Sequence, residues 1–253
     1  TRAAGKSVLD IIAPSLPELV GGSADLTGSV GTKFNGAVEL APGKFAANYI
    51  HYGVREFAMS TIMNGLALHG GFIPYAGTFM VFSDYMKPAI RLAAIQKLHQ
   101  VYVFTHDSYA VGEDGATHEP IEQLAMFRSL PGVTLLRPAE SHEVALAWAY
   151  AVRADHPVIL SLTRQALPNL PAEVVAKMDV AKGAYVVSSD EDFEAILIGS
   201  GSELAACVKA AEALRAQGRK LRVVSMPSWD LFEAQGAEYK ESVLPKACRK
   251  RVA

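Results

Sequence analysis

The pattern of hydrophobic and polar positions alternates between short apolar runs and longer amphipathic segments. Apolar runs bounded by glycine, proline and polar residues predict strands at 19–26, 45–50, 72–78, 101–105, 133–136, 157–162, 185–188, 194–198 and 221–225. Helical spacing of apolar residues predicts helices at 2–19, 54–69, 90–98, 120–130, 141–152 and 203–217, with Ser141 as an N-cap. This alternation is typical of a mainly parallel sheet with helices on both faces, so the sequence predicts an α/β fold.

The alternation divides the chain into two units. The first unit covers residues 1–166, and residues 167–181, which hold two prolines, are predicted to be a linker. The second unit covers residues 182–253 and ends in residues typical of a strand that is just starting. We therefore expect the second unit to be a partial α/β domain that further chain would complete.

The segment 51–71 places one carboxylate at the start of a predicted helix. Phe57, Ile62 and Leu66 recur at helical spacing, which predicts that their face is core, and Glu56 lies at the edge of that face. A carboxylate here is either a helix-start residue favoured by the helix dipole or a working acid or base. Position alone favours the first interpretation.

Three aromatic residues, Phe79, Phe82 and Tyr85, also recur at helical spacing. This spacing is more typical of core packing than of a binding surface. An aromatic surface that faces a cleft could instead stack on a flat heterocycle. Both interpretations stay open at this level.

A polar loop follows the apolar strand 101–105. Ligands of open α/β sheets gather at the carboxyl ends of strands, so this loop is the best site candidate by position. A metal site is one alternative, although no His-x-x-x-His pair or cysteine cluster supports it. A solvated loop is the other. The polar residues are His106, Asp107, Glu113, Asp114, His118 and Glu119.

Three weaker signals lie elsewhere. Thr27-Gly28-Ser29 could bind phosphate through hydroxyls and backbone N–H groups, or could be an ordinary turn in a loop. Arg164 follows the strand 157–162 and could grip a phosphate, or be a surface arginine. The turn 199–202 is similar to a dinucleotide fingerprint, but Leu204 stands where the third glycine belongs, and a capped turn into a helix explains it.

Composition narrows the function classes. The formal net charge of −2 gives no electrostatic case for binding nucleic acid or an anionic membrane. Two cysteines form no disulfide framework, which favours the reducing cytoplasm. We find neither an apolar run near the roughly 20 residues that span a bilayer nor a secretory pattern at the start of the sequence.

Seven strings, taken together and in order, resemble the transketolase family over nearly the whole chain. The first, HYGVREFAMSTIMNGLALHGG, resembles the family segment that carries the catalytic glutamate. The other six are weak singly and specific as an ordered set. They are SADLT at 23–27, GTF at 77–79, THDS at 105–108, GEDG at 112–115, THEP at 117–120 and SLTRQ at 161–165.

The resemblance implies a pyrimidine-binding domain at 1–166 and part of a C-terminal domain at 182–253. Transketolases use thiamine diphosphate and a divalent metal (Mg²⁺, or Ca²⁺ or Mn²⁺) to move a two-carbon ketol unit from a ketose phosphate to an aldose phosphate. No Gly-Asp-Gly motif of the family's diphosphate- and metal-binding domain occurs. We therefore expect the chain alone to be inactive and its parent to be a homodimer with sites shared between subunits.

By motif, Glu56 would be the carboxylate that pairs with N1′ of the cofactor's aminopyrimidine. Phe82 would stack on that ring, with Phe79 and Tyr85 beside it. Asp25 would lie near the cofactor. No residue of this chain would bind the metal.

The resemblance also implies six substrate-binding residues. Glu119 departs from the family's glutamine before proline, but the neighbouring histidine matches. The sugar phosphate group would be held by Arg2, Ser29 and Arg164, and the sugar hydroxyls would be contacted by His106, Asp114 and His118.

Other functional interpretations of the family resemblance stay open. The chain could be the C-terminal subunit of a split transketolase, or a non-catalytic module that binds or regulates. Related thiamine enzymes fit the THDS and SLTRQ strings less well, and dihydroxyacetone synthase is the nearest of them. The sequence leaves open the preferred sugars, the fragment's oligomeric state and the pathway, for which the family offers the pentose phosphate pathway and the Calvin cycle.

Overall fold

Ten strands and ten helices make up the structure, a computed structural model that describes residues 1–253. The strands are β1 Leu19–Ser23, β2 Tyr49–His51, β3 Ile73–Phe79, β4 Val101–Thr105, β5 Thr134–Leu136, β6 Val158–Leu162, β7 Tyr185–Ser189, β8 Ala195–Gly199, β9 Leu221–Ser225 and β10 Arg251–Val252. The helices are α1 Arg2–Ile12, α2 Thr27–Val30, α3 Glu56–His69, α4 Lys87–Ile95, α5 Gln123–Arg128, α6 Ser141–Ala151, α7 Ala172–Val175, α8 Glu203–Arg215, α9 Trp229–Glu233 and α10 Ala237–Val243.

The larger sheet has six strands in the order β2-β1-β3-β4-β6-β5, and every pair is parallel. The predicted α/β fold with a parallel sheet is confirmed. Such a sheet is buried on both faces, and two hydrophobic clusters of 16 residues each cover it. One contains Trp148 of α6 and Leu9 of α1, and the other contains Met59 and Met63 of α3.

The smaller sheet has four strands in the order β10-β8-β9-β7, with β7 antiparallel to β9 and the other pairs parallel. Helix α8 covers one face through Leu204 and Ala211, and Phe232 of α9 and Val243 of α10 cover the other. This sheet is the partial second unit that the sequence predicted. None of the ten helices has the length and apolar character that crossing a membrane would need.

The buried face of α3 is not the predicted one. Phe57 and Ile62 are 52% and 46% exposed, so the prediction that they belong to the core is wrong. Leu66 is only partly buried. The buried residues of this helix are Glu56, Met59, Ser60, Met63 and Asn64.

Polar partners inside the fold explain that orientation. The Ser60 hydroxyl lies 3.1 Å from the Tyr102 hydroxyl, and the Asn64 amide donates to the Ala89 carbonyl at 3.1 Å. Buried polar groups are tolerated when they are hydrogen-bonded, so these side chains can face inward. Both faces of α3 carry apolar residues. Apolar spacing alone therefore predicted burial of the wrong face.

Several predicted boundaries also differ. Helix α1 ends at Ile12, and a 3₁₀ turn at Ala13–Ser15, with proline in it, replaces the predicted last turns. Thr27–Val30 forms one helical turn rather than a loop. Glu140, not Ser141, caps α6, because the Glu140 carboxylate accepts the Glu143 N–H at 2.8 Å.

Candidate functional site

The candidate residues gather at one edge of the larger sheet. Because its strands are parallel, their carboxyl ends meet at that edge, where ligands of open α/β sheets bind. Five adjacent strands each lead into at least one candidate. Glu56 follows β2, Asp25 and Ser29 follow β1, Phe79, Phe82 and Tyr85 end or follow β3, His106, Asp114 and His118 follow β4, and Arg164 follows β6.

Aromatic rings form a continuous group at this edge. Phe79 and Phe82 are stacked with ring centroids 5.9 Å apart, and Tyr85 continues the stack 6.4 Å from Phe82. The ring of His118 meets Phe82 edge to face at 5.2 Å. The group rests on the 3₁₀ helix Met80–Tyr85, which gives the helical spacing seen in the sequence. Phe79 is buried and Tyr85 is exposed, so the stack runs from the interior to the surface.

Glu56 is buried at the first turn of α3, with 8% of its surface exposed. Its carboxylate makes no hydrogen bond or ion pair with another side chain of the chain. The neighbouring Arg55 turns away and donates to the Tyr52 carbonyl at 3.0 Å. The Glu56 carboxylate is therefore not used for a side-chain contact within the fold and is available to a ligand.

Arg2 and Ser29, which are far apart in sequence, are brought into contact. The Arg2 guanidinium donates to the Ser29 carbonyl at 2.7 Å. The first residues are tied to the end of β6, because the Arg2 N–H donates to the Thr163 carbonyl at 3.1 Å. The Thr163 N–H in turn donates to the Thr1 hydroxyl at 2.7 Å. These contacts place Arg2 beside the segment that carries Arg164.

His106 lies at the centre of the polar group. Its ring is buried, with the centroid 3.8 Å from that of Phe79. Burial is the main cause that lowers the pKa of His106 to about 4; the nearby charges of Arg2 and Arg164 act in the same direction, and Asp114 opposes them. The imidazole is therefore neutral at physiological pH. One ring nitrogen, Nδ1, lies 2.9 Å from the Thr105 hydroxyl.

The remaining candidates line the outer part of the group. Arg164 pairs with Glu113 at 2.7 Å; the Arg164 side chain is half-buried and the Glu113 side chain is largely exposed. The Nδ1 atom of His118 lies 2.8 Å from the Thr117 hydroxyl, and Asp114 is half-buried. The cluster thus combines arginine cations, carboxylates and a neutral imidazole, and it offers both donors and acceptors to a polar ligand.

Asp25 is less well integrated than the others. It lies at the same sheet edge with a left-handed backbone (φ 60°), but its side chain is exposed and makes no hydrogen bond within the chain. No group of three or more histidine, cysteine, aspartate or glutamate side chains is arranged to hold a metal ion.

The sequence reasoning missed Arg137. It follows β5, and its Nε donates to the Asp107 carboxylate at 2.8 Å, with both side chains buried. Asp107 stood among the loop carboxylates without a partner assigned. The available signal was an arginine directly after an apolar strand, at the edge where the other candidates lie.

Comparison with known families matches both units. The family "Transketolase, pyrimidine binding domain" matches residues 1–169, and "Transketolase-like TK C-terminal domain" matches residues 183–253. The transketolases of Nostoc sp. and Geobacillus stearothermophilus are each 50% identical to this chain over its whole length. The chain spans 38% of the length of each of these relatives.

Solved structures match as well. A Pichia stipitis transketolase in complex with sedoheptulose-7-phosphate is 43% identical, with a TM-score of 0.93 over 97% of this chain and 37% of that one. A transketolase from Leishmania mexicana is 41% identical, with a TM-score of 0.91 over 96% of this chain and 36% of that one. A split gene transketolase described as an inactive beta4 tetramer is 27% identical, with a TM-score of 0.72 over 90% of this chain and 70% of that one.

Proposed function

The chain belongs to the transketolase family, and we propose that it forms the pyrimidine-binding half of a thiamine diphosphate site. In this proposal residues 1–166 are the pyrimidine-binding domain, 167–181 the linker, and 182–253 part of the C-terminal domain. The parent enzyme transfers a two-carbon ketol unit from a ketose phosphate to an aldose phosphate. One observation carries the proposal: residues separated by up to 162 positions, Arg2 and Arg164 among them, gather around His106.

The residues present fit the cofactor's aminopyrimidine. A flat heterocycle needs an aromatic face, and Phe79 and Phe82 offer a stack that opens towards exposed Tyr85. The ring's polar edge needs a carboxylate, and Glu56 is buried with no competing partner. When bound, thiamine diphosphate supplies the reactive carbon and the electron sink for the ketol transfer.

Glu56 acts by holding a proton at N1′ of the aminopyrimidine. A carboxylate held at this atom would favour the cofactor tautomer whose exocyclic nitrogen can act as a base, and the role of Glu56 would be to hold and position that proton. The start of α3 fixes the Glu56 backbone, so its position depends on packing rather than on a flexible loop.

The polar group binds the sugar phosphate. Arg2 and Arg164 present guanidinium groups, whose planar forks match phosphate oxygens, and Ser29 lies in contact with Arg2. Neutral His106 can donate one hydrogen bond to a sugar hydroxyl, and Asp114 and His118 supply further partners. Glu113, the present partner of Arg164, is 75% exposed and can be displaced by an incoming phosphate.

A second copy completes the site in this proposal. Helices α3 and α4 pack against each other. Their exposed side chains include the apolar residues Phe57, Ile62, Leu92 and Ile95. Exposed apolar patches of this kind mark interfaces. We propose a homodimer in which a further domain of the partner subunit holds the diphosphate and its Mg²⁺, or Ca²⁺ or Mn²⁺.

We place the parent in the cytoplasm, in sugar-phosphate metabolism such as the pentose phosphate pathway or the Calvin cycle.

The test is a chimaera in which this chain replaces the matching segment of the Nostoc transketolase. We expect ketol transfer from a ketose phosphate with added thiamine diphosphate and Mg²⁺. Glu56→Gln in the chimaera should lower kcat by roughly 10²–10⁴-fold, since that is the usual contribution of a positioned acid or base. Glu238→Gln, on the surface of α10, is the matched control and should keep full activity.

A folded chimaera that binds the cofactor and has no activity, or one whose Glu56→Gln variant is fully active, would overturn the proposal. Calorimetric titration of the chain alone gives a second readout. With only half of the site present, we expect no binding of thiamine diphosphate and Mg²⁺, and tight binding would contradict the assigned domain content.

A split enzyme is the second candidate. The likeness to a split gene transketolase, which extends over 70% of that chain, favours it. In this case a separate subunit carries the diphosphate-binding part. Mixing the chain with the remaining part of the Nostoc transketolase, expressed as its own polypeptide, tests it, because activity on mixing requires that the two parts can assemble without a covalent link.

A further inference from the structure

The Asp107–Arg137 pair is the most deeply buried ion pair of the chain. The two side chains are 0% and 8% exposed, and the Arg137 Nε donates to Asp107 Oδ2 at 2.8 Å. Ser161 donates to the same oxygen at 3.3 Å, whereas Oδ1 is buried with no partner. Arg137 is therefore the cation that forms an ion pair with the buried Asp107 carboxylate.

The same arginine is held by the second domain. Its Nη1 donates to the Ser200 carbonyl at 2.9 Å and pairs with the Glu203 carboxylate. Its backbone N–H donates to the Pro227 carbonyl at 2.8 Å, and its carbonyl accepts the Gly201 N–H at 3.0 Å. A Cβ on Gly201 would lie 2.8 Å from the guanidinium carbon, so the turn before α8 packs directly on Arg137.

Asp107 directly follows a strained backbone position. The preceding residue, His106, has a left-handed backbone (φ 58°), a conformation that residues other than glycine rarely adopt and that surrounding contacts must maintain. The Asp107 side chain anchors the peptide just beyond this strained point. Release of that anchor would allow the segment to relax to an ordinary backbone conformation and would carry the imidazole away from Phe79.

From these contacts we propose that Arg137 is a positioning residue, which uses the second domain as its support and fixes the His106 ring through Asp107. The inference rests on the proposed function only in treating His106 as a ligand of the sugar. Under this proposal, the second domain supports a residue at the carboxyl edge of the larger sheet, although that edge belongs to the first domain. Packing at the turn 199–202 thereby sets the geometry of a residue in the first domain.

The proposal is tested by following the His106 ring in the complete 253-residue chain by NMR as a function of pH. The His106→Asn variant identifies the signal among those of the seven histidines. In the unaltered chain the titration midpoint should lie near 4, since burial and the surrounding cations oppose protonation. In Arg137→Met the ring should leave its buried position, and the midpoint should rise by at least about one pH unit towards the ordinary value of about 6.5.

A purely structural role for Arg137 predicts a different result. Tyr185→Phe is the matched control, because it removes a second hydrogen bond between the domains, from the Tyr185 hydroxyl to Glu143, away from Asp107. It should lower stability and leave the His106 midpoint unchanged. If Arg137→Met also lowers stability without moving the midpoint, the proposal is wrong.

Two further variants test the proposal independently of Arg137→Met. Asp107→Asn preserves the side-chain shape and removes the charge, so it should give the same shift even where Arg137→Met fails to fold. Arg137→Lys keeps the charge and loses the planar fork, so we expect an intermediate shift. The readout needs neither cofactor nor sugar. An inactive chimaera therefore counts against the proposed function alone, and an unmoved midpoint counts against this inference alone.

Discussion

The ring of His106 lies against the ring of Phe79, with centroids 3.8 Å apart and planes inclined by 36°. Phe79 ends one parallel strand and His106 follows the next, so the contact exists because the carboxyl ends of β3 and β4 are neighbours. The contact buries the imidazole, and burial keeps it neutral. A neutral ring can donate one hydrogen bond and accept another.

The buried imidazole makes the stability of the chain depend on pH. The folded-state pKa of His106 is about 4, below the unfolded value of about 6.5, so the unfolded state binds more protons in this window. Stability is full above about pH 6.5 and falls as the pH drops towards 4, by at most about 1.4 kcal/mol per pH unit from this group. Urea unfolding across the window should show a smaller pH dependence for His106→Asn. An equal dependence in both proteins would contradict this prediction.

Removal of either arginine of the proposed phosphate group should weaken binding of phosphorylated sugars. In the chimaera, Arg2→Ala and Arg164→Ala should each raise KM for a sugar phosphate by roughly 10–100-fold, since a charged hydrogen bond contributes about 1.5–3 kcal/mol. KM for an unphosphorylated acceptor should stay the same. Arg153→Ala, which removes an exposed arginine at the end of α6, is the control. Equal effects on both classes of sugar would argue against phosphate recognition.

Strand β1, which leads to Asp25, requires glycine at position 21. A Cβ there would overlap the Tyr75 hydroxyl, which donates to the Thr32 carbonyl at 2.8 Å. Gly21→Ala should therefore lower the free energy of unfolding by about 1–3 kcal/mol, as overpacking does. Gly28→Ala is the control, because no atom lies within 4 Å of its Cβ position. Denaturant melts of the two variants give the comparison, and a neutral Gly21→Ala would show that Tyr75 can move freely.

The domains also meet at Glu143, which is fully buried on α6. Its carboxylate accepts from the Tyr185 hydroxyl at 2.7 Å, the Ser225 hydroxyl at 2.5 Å and the Ala139 N–H at 2.6 Å. Glu143→Gln places an NH₂ group against one of these donors. It should lower the free energy of unfolding in urea by about 1–3 kcal/mol. Glu173→Gln on the surface should change stability by less than about 0.5 kcal/mol. Equal stability of the two variants would mean that the buried group rearranges without cost.

The exposed apolar surface on α3 and α4 should make the chain self-associate. Ile62 belongs to that surface and is 46% exposed, and Ile62→Glu should abolish dimers by placing a charge in the interface. Light scattering over a range of protein concentrations measures the mass. Ile11→Glu is the control, since Ile11 is 75% exposed on α1 and should leave the dimer intact. A monomer at high concentration in the unaltered chain would contradict the prediction.

Local pattern was enough to predict the fold class. Short β-rich apolar runs alternate with helical spacing, and parallel strands buried on both faces have that appearance in sequence. The same regularity predicted the polar loop after β4 as a site, because parallel strands bring their carboxyl ends to one edge. The order of seven strings identified the family, which no single property of the chain could have done.

Tertiary packing decided what local pattern leaves ambiguous. Both faces of α3 are apolar, and the partners Tyr102 and Ala89 determined that Glu56, Ser60 and Asn64 face inward while Phe57 faces out. Nothing in the sequence around Arg137 identifies its charge partner Asp107, which lies 30 residues earlier in the loop after β4.

The sequence by itself therefore determined the architecture, the family and the identity of the candidate residues, because these depend on periodicity and on ordered motifs. The neutral state of His106, the contact of Arg2 with Ser29 and the support of Asp107 by the second domain were decided only in three dimensions. Burial and charge pairing arise between segments far apart in the chain, and no local spacing encodes them.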